Sequence, residues 1–222
     1  VQTLAERLAT TKAAIQTECL RLQRATPTLI VVTKNHPVTL AEELYALGER
    51  DFGENRVQEA EPKAQLLEEH EDLNWHLIGQ LQTNKVKQAL TFARSIHSLD
   101  RDTLLTELQK RTVDRAIPLD IFIQVNLTED LGRGGIEPED VFSFADRVQA
   151  TPTLRLRGLM AVASLNVAPE QDFERVAKLS QRLIRNIPEA SELSIGMSGD
   201  FLQALQFGAT HLRIGTAITG NR

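Results

Sequence analysis

Short apolar or β-branched runs alternate along the chain with longer stretches of helical period. From Thr3 to about Leu22, apolar residues fall at Leu4, Leu8, Ala13, Ile15 and Leu20 with charges between them, which predicts an amphipathic helix closed by Pro27. Leu29-Ile30-Val31-Val32-Thr33 reads as a fully apolar first strand. The next helix runs through Ala46, with Thr39 as cap, Glu42 completing a capping box and Gly48 as the stop. Asp51-Phe52-Gly53 predicts strand two, followed by a helix around Val57 to Leu67. Trp75 to Gly79 predicts strand three and Asn84 to Phe92 a helix; Ser95 to Ser98 predicts strand four and Asp102 to Val113 a helix.

Leu119 to Asn126 is the fifth strand, after Pro118; Pro138 sits in the first turn of a helix through Val148, where its missing N–H costs nothing. Leu156 to Val162, Glu192 to Ile195 and His211 to Ile214 are strands six to eight, separated by helices from Pro169 to Ile184 and from Asp200 to Phe207. Regular βα alternation implies a parallel sheet. Eight such units in 222 residues match a closed (β/α)8 TIM barrel with one extra N-terminal helix, an α/β fold. The rival is an open doubly wound sheet, which the absence of Gly-x-Gly-x-x-Gly after the first strand weakens. No composition break divides the chain, so one domain is expected over 1–222, with the helix in 1–24 and the barrel in 29–216.

Composition narrows the function classes. Hydrophobic residues are 41% and charged residues 25%, the balance of a globular chain. No apolar run approaches the ~20 residues of a membrane span, and no basic-then-apolar leader opens the sequence, so no membrane partner is expected. The single cysteine, Cys19, makes no internal disulfide, no Cys/His cluster has zinc spacing, and the cytoplasm is the expected compartment. A net charge of −5 with interspersed signs gives no reason to propose nucleic acid as a partner.

In a parallel barrel, functional groups lie where strands end. Lys34 follows the first strand; there, partial desolvation would leave a nucleophilic amine able to condense with a carbonyl. The alternative is a stem laid over apolar surface with its ammonium in water. Ser198 and Gly199 after strand seven, and Gly215 and Thr216 after strand eight, offer a hydroxyl and N–H groups where this barrel usually grips phosphate. Ordinary turn chemistry would explain either loop alone. Together, opposite a lysine, they point to a phosphorylated carbonyl compound. Asn55 is read as a rim donor or a helix N-cap, and Arg213 as inward-facing or as a surface ion-pair partner. His76 and His211 are read as packed strand histidines, and His36 receives no role. Leu131-Gly132-Arg133-Gly134-Gly135 is a nest-like or flexible loop without a P-loop Lys-Ser/Thr.

At these residues the sequence resembles the pyridoxal phosphate homeostasis proteins, the YggS/PROSC family. The likeness spans the chain. Its most specific blocks are Phe52-Gly53-Glu54-Asn55-Arg56, Trp75-His76-Leu77-Ile78-Gly79-Gln80-Leu81-Gln82-Thr83-Asn84-Lys85 and Gly196-Met197-Ser198-Gly199-Asp200. The resemblance implies a barrel similar to the N-terminal domain of alanine racemase, with Lys34 holding pyridoxal 5′-phosphate as an internal aldimine. It implies that Ser198, Gly199, Gly215 and Thr216 bind the phosphate, that Arg213 faces the pyridine nitrogen, and that Asn55, Ile78 and Met160 line the ring. The chain departs from the family at Thr33, where serine is common, at Ile195 for methionine and at Thr219 for phenylalanine. The resemblance also favours a monomer.

Two functions compete on this reading: a non-catalytic carrier that hands the cofactor to apo-enzymes requiring it, and an amino-acid racemase. Racemases of this kind take a second acid–base group from a further β domain. The sequence ending at Arg222 is read as lacking one, leaving the cofactor open to solvent. A cationic arginine at the ring nitrogen also makes a poor electron sink, although racemases share it. A remoter alternative is a phosphosugar aldolase using the same lysine.

Overall fold

The computed structural model describes residues 2–128 and 131–220; Val1 and residues 221–222, the ends of the expected domain, lie outside them. Eight strands form a closed parallel barrel in chain order: β1 (Thr28–Val32), β2 (Asp51–Glu54), β3 (Asn74–Leu77), β4 (Ala93–Leu99), β5 (Leu119–Gln124), β6 (Leu154–Met160), β7 (Glu192–Ser194) and β8 (His211–Ile214). Closure is made by β8 pairing with β1, Ile214 standing opposite Val31, while Val31 also faces Phe52 of β2. This is the expected (β/α)8 architecture, with the extra helix α1 (Leu4–Arg21) in front.

The connecting helices are α2 (Val38–Ala46), α3 (Val57–Leu66), α4 (Val86–Ala89), α5 (Asp102–Thr112), α6 (Val141–Gln149), α7 (Pro169–Asn186), α8 (Phe201–Gln206) and α9 (Thr216–Thr219). Each long helix turns one apolar stripe to the sheet; α7 buries Phe173, Val176 and Leu183 at helical spacing, under a polar outer face. Between sheet and helices lies a core that includes Leu44, Phe52, Leu104, Leu108, Phe144 and Phe173, all buried. Gly158 lets β6 approach β7: its φ is +153°, and an added Cβ would lie 1.8 Å from the Glu192 carbonyl oxygen.

Three local expectations need correction. Thr39 does not cap α2; the helix begins at Val38 after Pro37, and no side-chain cap bond is present. The fixed φ of Pro37 already sets the entry angle. The helix expected from Asn84 to Phe92 is a 3₁₀ turn (Thr83–Lys85) leading into four residues of α-helix, and β5 stops at Gln124, beyond which Val125 makes only an isolated bridge to Ile136.

The N-terminal helix is tied to the end of the chain. Thr3 and Glu6 form a capping box at its start. Arg7 then donates through Nε to the Ile218 carbonyl at 2.6 Å and through a terminal nitrogen to that of Thr219 at 3.3 Å, satisfying carbonyls at the end of α9. Replacing Arg7 by alanine is expected to cost about 1–2 kcal/mol in urea unfolding. It should also raise amide exchange selectively in α9.

Candidate functional site

The C-terminal ends of the strands carry the candidate residues. Because β8 pairs with β1, an added Cβ on Gly215 would lie 3.5 Å from Val32, so the loop after β8 adjoins the strand that leads to Lys34. In this sector the backbone N–H groups of Gly215 and Ala217 both donate to the Ser198 hydroxyl oxygen, each at 3.2 Å. Two N–H groups aimed at one oxygen form a small cradle, and the hydroxyl stands where an anionic oxygen would be accepted. Gly199 leaves the space beside it open, with no atom within 4 Å of an added Cβ. The helices that follow, α8 and α9, have six and four residues, so the donors arise from loop geometry rather than from a long helix dipole. Thr216 is exposed at the start of α9.

Arg213 points into the barrel and is buried, which excludes the surface ion-pair reading. Its NH1 donates to the carbonyl and hydroxyl of Ser194 at 2.6 and 2.7 Å, and its NH2 to the Ala161 carbonyl at 2.9 Å. Burial pulls the guanidinium down to about 10, partly offset by the Asp200 carboxylate, so it stays cationic at neutral pH. Burial raises Asp200 above the usual carboxylate range, and its Oδ1 accepts the Met197 N–H at 2.6 Å, closing the Ser198 turn.

Lys34 is exposed, so the desolvation expected at a strand mouth is not what distinguishes it. Its turn is held from below instead. Asn35 adopts φ +60°, and its N–H donates to a carboxylate oxygen of Glu59. Lys63 is buried and donates to the Thr33 carbonyl at 2.9 Å, to Glu54 at 2.7 Å and to Glu59 at 3.1 Å. Glu54 also accepts the Thr33 hydroxyl at 2.6 Å, while its Oε2 is buried without a partner. Burial raises the Glu54 carboxyl, and its bonds to Lys63 and Thr33 pull it partly back. Sequence reading singled out Lys34 but missed this buried Lys63–Glu54 pair. The available signal was Lys63 on the same helix face as Glu59 and Ala60, the face that α3 turns inward.

Asn55 is half-buried and does not cap α3; Arg56 occupies that position without a side-chain bond. The close approach belongs to Gly79, whose added Cβ would sit 2.4 Å from the Asn55 carbonyl oxygen. Asn55, Gln80, Gln82 and Lys85 border a cleft of about 560 Å³ at this rim. Ile78 is half-buried with its side chain against Gly53, and Met160 is buried at the end of β6. Gly134 and Gly135 have φ of +73° and +106° and pack on the rim, where the Gly135 N–H meets Asp100 at 3.4 Å.

The barrel interior is polar where such barrels usually stack branched apolar side chains. The His97 ring stacks on Phe122 at 4.2 Å and lies 6.0 Å from that of His211, and Phe122 meets His211 at 5.1 Å. Since β8 neighbours neither β4 nor β5 in the sheet, these rings meet across the interior. His76 and His211 are therefore members of a cluster, not isolated packed histidines. Burial, then the neighbouring histidines and Arg213, push the His97 imidazole well below its ordinary value; burial chiefly pushes His211 down to about 4. Among the described residues, no cluster of histidine, cysteine and acidic side chains could hold a metal ion, and no helix is long and apolar enough to cross a membrane.

A parallel barrel with a lysine after its first strand, an oxygen cradle after its last two and an inward arginine beneath falls in the alanine racemase N-terminal-domain class. The family model described as "Alanine racemase, N-terminal domain" matches residues 10–222. The pyridoxal phosphate homeostasis protein of Vibrio cholerae is 38% identical over 93% of this chain and 90% of its own, and that of Aquifex aeolicus 38% over 98% and 97%. The solved structure of PipY from Synechococcus elongatus PCC7942 with PLP bound is 35% identical, covers 98% of this chain and all of its own, and superposes with a TM-score of 0.85. The chain belongs to the family of pyridoxal phosphate homeostasis proteins.

Proposed function

We propose that this chain binds pyridoxal 5′-phosphate at the C-terminal rim of its barrel and serves cofactor homeostasis as a carrier and regulator, without robust catalysis. One observation carries the reading: the oriented guanidinium of Arg213 lies buried in the sector where the Ser198 cradle and the Lys34 turn adjoin. The donor set fits the cofactor. The N–H groups of Gly215 and Ala217, with Ser198, Gly199 and Thr216, would receive the phosphate. Arg213 would donate to the unprotonated ring nitrogen, and Asn55, Ile78 and Met160 would border the ring. When bound, the cofactor supplies an aldehyde able to capture an amine. Lys34 would provide Nζ to condense with that aldehyde carbon, the aldehyde oxygen leaving as water. An exposed lysine favours exchange with solvent and acceptors over shielded chemistry.

The same reading treats residues 1–222 as one monomeric cytoplasmic domain. Its proposed recipients are apo-enzymes that require the cofactor, with no nucleic-acid or membrane partner. The test combines two assays on cofactor-loaded protein. Incubation with L-alanine should leave the enantiomer composition unchanged, while mixing with a cofactor-free aminotransferase should restore that enzyme faster than passive release allows. Sustained racemisation at an enzymatic rate would overturn the carrier role, and failure to retain the cofactor would overturn the binding itself.

A further inference from the structure

Asp51 begins β2 at the N-terminal end of the barrel, and Arg213 lies near the opposite end of β8. An unbroken series of hydrogen bonds joins them through the interior. Asp51 Oδ1 meets His76 Nε2 at 2.8 Å, and His76 Nδ1 meets Ser95 Oγ at 2.7 Å. Ser95 Oγ meets His97 Nε2 at 3.0 Å, His97 Nδ1 meets Ser194 Oγ at 2.9 Å, and Ser194 Oγ receives the Arg213 N–H at 2.7 Å. His76, Ser95, His97, Ser194 and Arg213 are all buried, whereas the Asp51 side chain is 26% exposed.

The ends of this series fix its direction. A guanidinium only donates and a carboxylate only accepts. Facing the carboxylate, His76 donates from Nε2; with a single ring proton placed there, its Nδ1 accepts and Ser95 donates to it. Ser95 has one hydroxyl proton, and His97 Nε2 faces two acceptors, Ser95 Oγ at 3.0 Å and His76 Nδ1 itself at 3.1 Å, so His97 Nε2 is the donor and His97 Nδ1 the acceptor. The Ser194 hydroxyl then donates to His97, which turns a lone pair toward Arg213. Every bond points from the arginine to the aspartate. The stacking of His97 on Phe122 holds its plane. Buried networks in which each member is satisfied specify one arrangement.

We propose that this one-way chain positions Arg213: Asp51, His76, Ser95, His97 and Ser194 together orient the guanidinium toward the ring nitrogen of the cofactor. The inference rests on the cofactor site described above. None of the four intermediate residues is among those placed around the cofactor above; each acts through the next.

Two measurements test it. In the cofactor-free protein, long-range ¹H–¹⁵N spectra should show His76 and His97 each in the Nε2–H form, and Asp51→Ala should leave His97 a mixture of tautomers. A wild-type His97 in the Nδ1–H form, or a His97 unmoved by that substitution, would overturn the chain. In titrations with pyridoxal 5′-phosphate, Ser194→Ala should weaken binding about tenfold and shift the absorbance maximum of the loaded protein, and Ser194→Thr should restore both. If the wild type binds the cofactor and Ser194→Ala binds it equally well with an unshifted spectrum, the inference falls while the functional reading stands. If the wild type binds none, the functional reading falls while the tautomer measurement still decides the chain.

Discussion

Between pH 7 and pH 5 the protein will lose stability steeply, because burial of His97 and His211 in its barrel interior disfavours their charged imidazolium forms. His211 is pushed from 6.5 down to about 4 in the folded state. A lowered histidine contributes stability that is complete above the unfolded value and disappears as pH falls through that value toward the folded one. From His211 alone the loss is about 2 kcal/mol at pH 5 and about 3 kcal/mol once pH 4 is passed, at 1.36 kcal/mol per unit. His97, wholly buried beside His76 and Arg213 and also lowered, adds a loss of the same sign. Glu54 and Asp200 act oppositely: their folded carboxyls are raised, so protonation there returns stability as pH falls through those raised values. Urea unfolding at half-unit intervals checks this, and His211→Gln should flatten the curve below pH 6.5. A wild-type stability constant from pH 7 to 5 would contradict the account of the interior.

The second large effect lies under Lys34. Removing the carboxylate with Glu54→Leu leaves the buried Lys63 ammonium only the Thr33 carbonyl and the less buried Glu59, and Lys63→Met leaves Glu54 only the Thr33 hydroxyl; each should cost up to about 3 kcal/mol. The double replacement should cost far less than the sum, within about 1 kcal/mol of wild type, because a buried pair hardly exceeds a well-packed apolar one. Urea unfolding of the four proteins gives the coupling. Additive losses would show that Lys63 and Glu54 act independently. Either single change should also slow covalent capture of the cofactor, since Lys63 holds the Thr33 carbonyl and Glu59 holds the Asn35 N–H on both sides of Lys34.

The barrel was legible in the sequence because its outer face is conventionally apolar. Runs such as Ile30-Val31-Val32 and Ile121-Phe122-Ile123 mark strands whichever way they face, and the helical stripes between them mark what covers the sheet. The interior was not legible in the same way. Leu193-Ser194-Ile195 and Leu212-Arg213-Ile214 alternate apolar and polar, and period two alone does not say whether the polar face meets water or the centre of a barrel. Only closure of the sheet turns Ser194, His97 and Arg213 toward one another. Short segments were read least well. The 3₁₀ turn at Thr83–Lys85 carries a helical pattern too brief to show its pitch, and Pro37 preset the start of α2 where Thr39 had the better capping chemistry.

At the site, the motifs pointed to the C-terminal rim but not to the environment of each group. Lys34 was expected to be partly desolvated and is exposed; the desolvated lysine of that region is Lys63, three acceptors away from any free role. Arg213 was left between two orientations, and its burial depends on hydrogen bonds it donates to Ser194 of β7 and to Ala161 just past β6, which no local pattern announces.

The central claim is that the amine at position 34 alone forms the covalent link to the cofactor. Borohydride reduction of the loaded protein followed by peptide mapping tests it most directly. The account predicts one stoichiometric pyridoxyl adduct, on Lys34, and none after Lys34→Ala. An adduct on Lys63 or Lys85 in the wild type, or no adduct at all, would contradict it.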